Sequence, residues 1–184
     1  MIKDTTSVLF DSFASLLEYP STETAEQARD CLEQLKPIHP EAAEALEKFV
    51  RRLDQLSLEK MRELYTITFD MQPVCYPYVG YHLFGESYKR GAFMAQLNEA
   101  YHAHNYSAGQ ELPDHLAVIL RFLGLDATHR AGEFCQTLLN SGMMPALAKM
   151  LQPFGAESEN PYFWLLASLQ RFLVQTPEKE FDHA

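Results

Sequence analysis

The chain has 184 residues, 47% of them hydrophobic and 22% charged, with 25 acidic side chains against 15 basic ones and a formal net charge of −10. Such a chain folds as one domain around its own core, which excludes disordered, collagen-like and low-complexity classes. The acidic balance argues against nucleic acid and anionic membranes as partners, because the densest basic spots, Arg51-Arg52 and Lys89-Arg90, are each flanked by acids.

Helical periodicity runs through almost the whole chain, and strand alternation is nearly absent. The first helix carries Leu9, Phe13, Leu16 and Leu17 on one stripe after a cap at Thr5 or Thr6, and Tyr19-Pro20 ends it. A second helix is expected over about 23–36 and a third over about 41–55, separated by Pro37 and Pro40. The third is acidic early and basic late, which suits the helix dipole. Ser57 opens a fourth, with Leu58, Met61, Leu64, Tyr65, Thr68 and Phe69 facing inward.

Between positions 70 and 85 the pattern breaks. Pro73, Pro77, Gly80 and Gly85 punctuate a run of aromatics, so this stretch is expected to be irregular, with at most a helical turn near 78–83. A fifth helix follows over about 86–104. Residues 105–112 form a polar loop, and Pro113 suits the first position of the next helix, with Asp114 in its first turn. Helices over about 128–140 and 143–151 are expected to be separated by a break at Ser141-Gly142. A last helix covers about 161–175, and the tail from 176 frays. The expectation is a single all-α domain over 1–184, a bundle of eight or nine helices, with a possible hinge at 105–113.

Three widely spaced cysteines, Cys31, Cys75 and Cys135, form no CxxC pair and fit a reducing compartment. The N-terminus lacks the pattern of a secretory signal, and no apolar run approaches the ~20 residues of a membrane span. A cytoplasmic protein is expected.

No nucleotide, nucleophile-elbow or zinc-protease motif is present. His102 and His104 are two apart on a helix and cannot readily share a metal. Cys75 and His82 could meet only if the chain between them folds back, and an acidic protein is a poor setting for a thiolate. Two stretches remain. Tyr76 to Tyr88 concentrates aromatics among Gly and Pro, either packed under a loop or flooring a groove for a peptide. Glu111-Leu112-Pro113-Asp114-His115 places a histidine at a helix start, where the dipole disfavours imidazolium; a surface position near the loop–helix junction is expected for it. Three functions fit these features: a peptide-binding chaperone, a general all-α interaction adaptor, or a small His-dependent hydrolase or metalloprotein.

Three blocks fall in order along the chain: Leu64-Tyr65-x-x-x-Phe69-Asp70; Tyr81-His82-Leu83-Phe84-Gly85-Glu86-Ser87-x-x-Arg90-Gly91; and Glu111-Leu112-Pro113-Asp114-His115-Leu116. With these blocks the chain resembles the NarJ-type assembly chaperones of respiratory nitrate reductase, within the TorD/DmsD group of molybdoenzyme chaperones. The likeness extends over about 8–173 and is most specific over 64–123. It implies an all-α chaperone without catalysis, which binds the N-terminal segment of an apo catalytic subunit while cofactors are inserted and before membrane docking. It implies no stably bound cofactor, with molybdenum cofactor met only through the client. It also implies a monomer, for which a swapped dimer is an alternative. Carried over by position, client recognition falls on Tyr65, Phe69, Tyr81, His82, Phe84, Gly85, Glu86, Leu112, Pro113, Asp114 and His115. Residues 71–80 depart from the Ser/Thr-rich link of the nitrate-reductase chaperones. The client class is therefore a molybdoenzyme catalytic subunit, with the nitrate reductase alpha subunit the first choice.

Overall fold

A computed structural model describes residues 2–155 and 158–175. Within them the chain forms α1 (Thr5–Leu16), α2 (Thr24–Leu35), α3 (Pro40–Asp54), α4 (Leu58–Phe69), α5 (Val79–Phe84), α6 (Tyr88–Ala103), α7 (Leu116–Leu123), α8 (Ala127–Arg130), α9 (Glu133–Thr137), α10 (Met144–Leu151) and α11 (Pro161–Gln175). The fold is all-α; the described residues contain no strand, only one isolated antiparallel bridge between Tyr78 and His115. The count exceeds the expected eight or nine because the turn near 78–83 is a short helix and the stretch 128–140 divides at Gly132, whose extended backbone caps α9. The tail from 176 lies outside the described residues.

Caps explain most helix starts. Asp4, rather than Thr5 or Thr6, caps α1 by accepting from the Ser7 N–H at 3.0 Å. Ser57 caps α4, accepting from Lys60 N–H at 3.1 Å. Asn160 opens α11, its Oδ1 accepting from Tyr162 N–H at 3.0 Å, and its Nδ2 donates to Thr68 Oγ1 at 2.7 Å, tying α11 to the end of α4. The break expected at Ser141-Gly142 does not occur: a π-helical turn, Leu138–Met143, carries the chain on into α10. A wider turn absorbs one extra residue where a Ser-Gly pair weakens the α pattern without reversing the chain.

The core is built around α7, all of whose residues except Arg121 are buried. Helix α1 lies along it, and Gly124, just past its end, leaves room for Phe10 and Asp11; a Cβ there would sit 2.9 Å from Phe10. Phe10 and Phe13 pack on Phe172 of α11 at ring distances of 5.2 and 5.3 Å. Helix α11 packs on α3, where Ser168 Oγ donates to the Ala42 carbonyl at 2.8 Å. Burying one such aromatic contributes ~3–5 kcal/mol, judged by truncation to alanine. The start of α7 adjoins the two segments singled out above.

Candidate functional site

Residues 77–79 run antiparallel to 114–116. Val79 N–H donates to the Asp114 carbonyl and Leu116 N–H to the Pro77 carbonyl, both at 2.8 Å, and the Tyr78 and His115 rings meet edge-on at 5.4 Å. This pairing takes up the backbone that was expected to start a helix. Helix α7 begins at Leu116, not Pro113, so Pro113 and Asp114 precede the helix instead of forming its first turn. His115 is its N-cap, with Nδ1 accepting from Ala117 N–H at 3.1 Å.

His115 is also not at the surface: it is 6% exposed. Its pKa is lowered, first by burial and also by Arg121, against the opposing pull of Glu111, Asp114 and Glu18. The neutral form is the one that can cap, because only a bare Nδ1 accepts.

Asp114 is wholly buried and is met by Arg90 in a two-pronged contact, Nε to Oδ2 at 2.8 Å and Nη2 to Oδ1 at 3.2 Å. The same guanidinium lies 5.3 Å from the centre of the Tyr78 ring. Paired this way, the buried carboxylate is neutralised and its lone pairs are used. Gly80 makes the approach possible, since a Cβ there would fall 2.6 Å from Asp114 Oδ2. Tyr101 OH donates to the Pro113 carbonyl at 2.7 Å, and Tyr78 OH to Glu111 at 3.1 Å; burial first, then Glu111, pushes the Tyr78 phenol up to about 12. Buried Pro113, Asp114 and His115 thus form a clamp beneath the surface.

The outer face is aromatic. Tyr76 and Tyr81 lie 4.2 Å apart between ring centres, and Phe84 contacts Phe93 at 5.7 Å. Gly85 ends α5 at φ +66°, a conformation that favours glycine, and turns the chain so that Glu86 and Tyr88 project outward. Of the large hydrophobic side chains exposed among the described residues, Met71, Tyr76, Phe84, Tyr88 and Leu112 belong to this stretch and its partner loop; Tyr88 is 84% exposed. Scattered exposed apolar residues need no explanation, but five drawn from two abutting segments do.

The expected site residues divide accordingly. Tyr81, His82, Phe84, Gly85, Glu86 and Leu112 belong to segments that reach the surface, and Pro113, Asp114 and His115 lie in the clamp. Tyr65 and Phe69 point the other way, into a cluster with Tyr162 at 5.8 and 5.0 Å; Phe69 is buried, and Tyr65 OH donates to the Leu17 carbonyl. Cys75 and His82 do converge, but both donate to the Tyr76 carbonyl, at 3.6 and 2.7 Å. Burial pushes the Cys75 thiol up to about 12, which leaves no thiolate for nucleophilic chemistry. His102 does not join His104; the partner of His104 is His129, with ring centres 4.4 Å apart. Among the described residues no group of three or more His, Cys, Asp and Glu side chains could hold a metal ion. No helix among them is long and apolar enough to cross a membrane.

Arg90, Tyr78 and Gly80 carry the clamp without having been assigned a role from sequence. The available signal was an unmatched arginine in one block and an unmatched aspartate in another.

No curated protein matches the chain. A solved structure of a candidate redox enzyme maturation protein from Archaeoglobus fulgidus is similar in fold, at a TM-score of 0.63 and 20% identity, covering 95% of this chain and 96% of that one. The family model described as nitrate reductase delta subunit matches residues 33–157, which take in α3 to α10 and the whole clamp. With more than half of its length matched, the chain belongs to the nitrate reductase delta subunit family.

Proposed function

We propose that this protein is a non-catalytic maturation chaperone that binds the N-terminal segment of an apo molybdoenzyme catalytic subunit, the nitrate reductase alpha subunit first among them. In this role it works in the cytoplasm as a monomer. It keeps the subunit open to cofactor insertion and away from its membrane partner. It carries no metal or cofactor of its own and meets molybdenum cofactor only through the client.

The observation that carries this function is the concentration of exposed apolar side chains on the segments around α5 and the 111–115 loop, above a rigid buried clamp. Aromatic side chains on a fixed base take up an apolar segment at low cost in conformational entropy. Family membership and the shared fold support it. Tyr76, Tyr81, Phe84, Tyr88 and Leu112 supply the contacts. Pro113, Asp114, His115 and Gly85 set their positions, and Tyr65 and Phe69 support α4 beneath them.

The test pairs affinity with melting. Calorimetry with a synthetic peptide of the client N-terminus is expected to show Phe84→Ala and Tyr81→Ala each losing ~2 kcal/mol of binding. Their melting temperatures should stay near wild type. A large melting loss matched by the binding loss would make these rings ordinary core. Unchanged affinity would move the client elsewhere.

A further inference from the structure

His104, the C-cap of α6, and His129, on α8, have ring centres 4.4 Å apart, and both meet the Phe122 ring of α7 edge-on. His104 Nδ1 donates to the Ala100 carbonyl at 2.9 Å, so in the neutral ring Nε2 is bare. His129 Nε2 lies 3.4 Å from the buried Cys135 Sγ of α9. Burial pushes the Cys135 thiol up to about 11, so it keeps its proton and can donate to a bare His129 Nε2. The neutral pair therefore joins three elements: the end of α6, α8 and α9.

We propose that the His104–His129 pair is an acid-sensitive latch, which fastens α8 and α9 to the end of α6 while His129 is neutral and releases them when His129 takes a proton.

Three consequences of protonation act together. A proton on His129 Nε2 removes the lone pair that accepts from Cys135. It creates a cation whose near charged neighbours are Arg130 on the same helix, which opposes it, and Asp126 at the helix cap, which favours it. The His104 ring, edge-on at 4.4 Å, adds to the cost of that cation. Burial, and next the neighbouring His104, lower the His129 pKa, so the balance already lies toward the neutral ring.

Release would not stay local. Arg130 follows His129 directly; it donates to Ser7 Oγ at 3.1 Å and to the Leu123 carbonyl at 3.0 Å, and pairs with Asp4 at the start of α1 at 3.4 Å. Loosening α8 thus loosens the clasp on the first helix. This latch uses none of the residues proposed to contact the client.

Imidazole proton titration by NMR on the full chain tests it, with wild type, His104→Gln, His129→Gln and the double variant. The expected result is a His129 midpoint below ~6.5 in wild type that moves up when His104 is replaced. Amide exchange at 127–137, corrected for its intrinsic pH dependence, should accelerate about ten-fold in wild type between about pH 7.5 and pH 5.5, and much less in the double variant. A His129 midpoint that His104→Gln leaves in place would overturn the latch. So would exchange that accelerates equally in wild type and double variant.

Discussion

At the scale of single residues, His115 makes the sharpest prediction. Its Nδ1 caps α7 and its ring is buried against Tyr78, so protonation costs both the cap and the solvation of a charge. Because the folded-state pKa is lowered by burial, the unfolded chain takes up this proton first as pH falls. Its contribution is therefore complete above ~6.5 and is lost progressively below that value. Replacing it with alanine should cost ~1 kcal/mol at neutral pH, whereas asparagine keeps a capping oxygen that does not titrate. Melting curves at about pH 7.5 and pH 5.5 check this: wild type should fall toward the alanine variant in acid while His115→Asn does not. A wild-type-to-asparagine gap that is the same at both pH values would remove His115 from the pH response. The dipole argument from sequence identified this histidine as unusual, but a one-dimensional pattern does not carry the pairing of 77–79 with 114–116 that buries it. Asp114 shows the same limit, since its partner Arg90 is 24 positions away and only the fold brings them together.

At the scale of elements, the long helices with steady apolar periodicity were legible almost to the residue, because burial on one face is written every three or four positions. The short ones were not. Helix α5 has six residues and is held by tertiary contacts: the Val79 bond to Asp114, the clamp beside Gly80 and the Lys149 bond to the His82 carbonyl at 2.9 Å. Its seating depends on Gly80 having no side chain. Gly80→Ala would bring a Cβ to 2.6 Å from Asp114 Oδ2 and 3.0 Å from Phe93, and the buried carboxylate cannot swing away without leaving Arg90. A loss of ~1–3 kcal/mol in stability is expected, with weaker client binding as α5 lifts. Gly91 on α6 is the control, since a Cβ there meets nothing within 4 Å. Gly91→Ala should be neutral or stabilising by ~0.5–1 kcal/mol. Denaturant melts of the two variants decide between a local clash and a general intolerance of alanine; equal losses would discard the clamp as the cause.

At the scale of the whole molecule, an all-α fold follows from periodicity and from the absence of alternation, while the order in which helices surround α7 had to come from the structure. Charge acts at this scale too. Eight ion pairs are found among the described residues, and in six of them both side chains are about a third or more exposed. Such pairs contribute ~0–1 kcal/mol each and weaken further with salt. The remaining two, Arg90–Asp114 and Arg130–Asp4, each have a largely buried member and are screened less. Against these modest attractions stands a net charge of −10 on one domain, whose self-repulsion favours expansion and falls as ions screen it. With ten negative charges in excess, repulsion is expected to outweigh the exposed pairs, so adding salt should stabilise the fold. Raising sodium chloride from about 20 to 200 mM, which shortens the screening length from roughly 20 to 7 Å, should raise the melting temperature at neutral pH. The rise should be smaller near pH 5, where the charge is close to balance at a sequence pI of about 5.1. A melting temperature that falls with salt at neutral pH would mean that the exposed ion pairs outweigh the repulsion, and that the acidic surface is held together by its few cations.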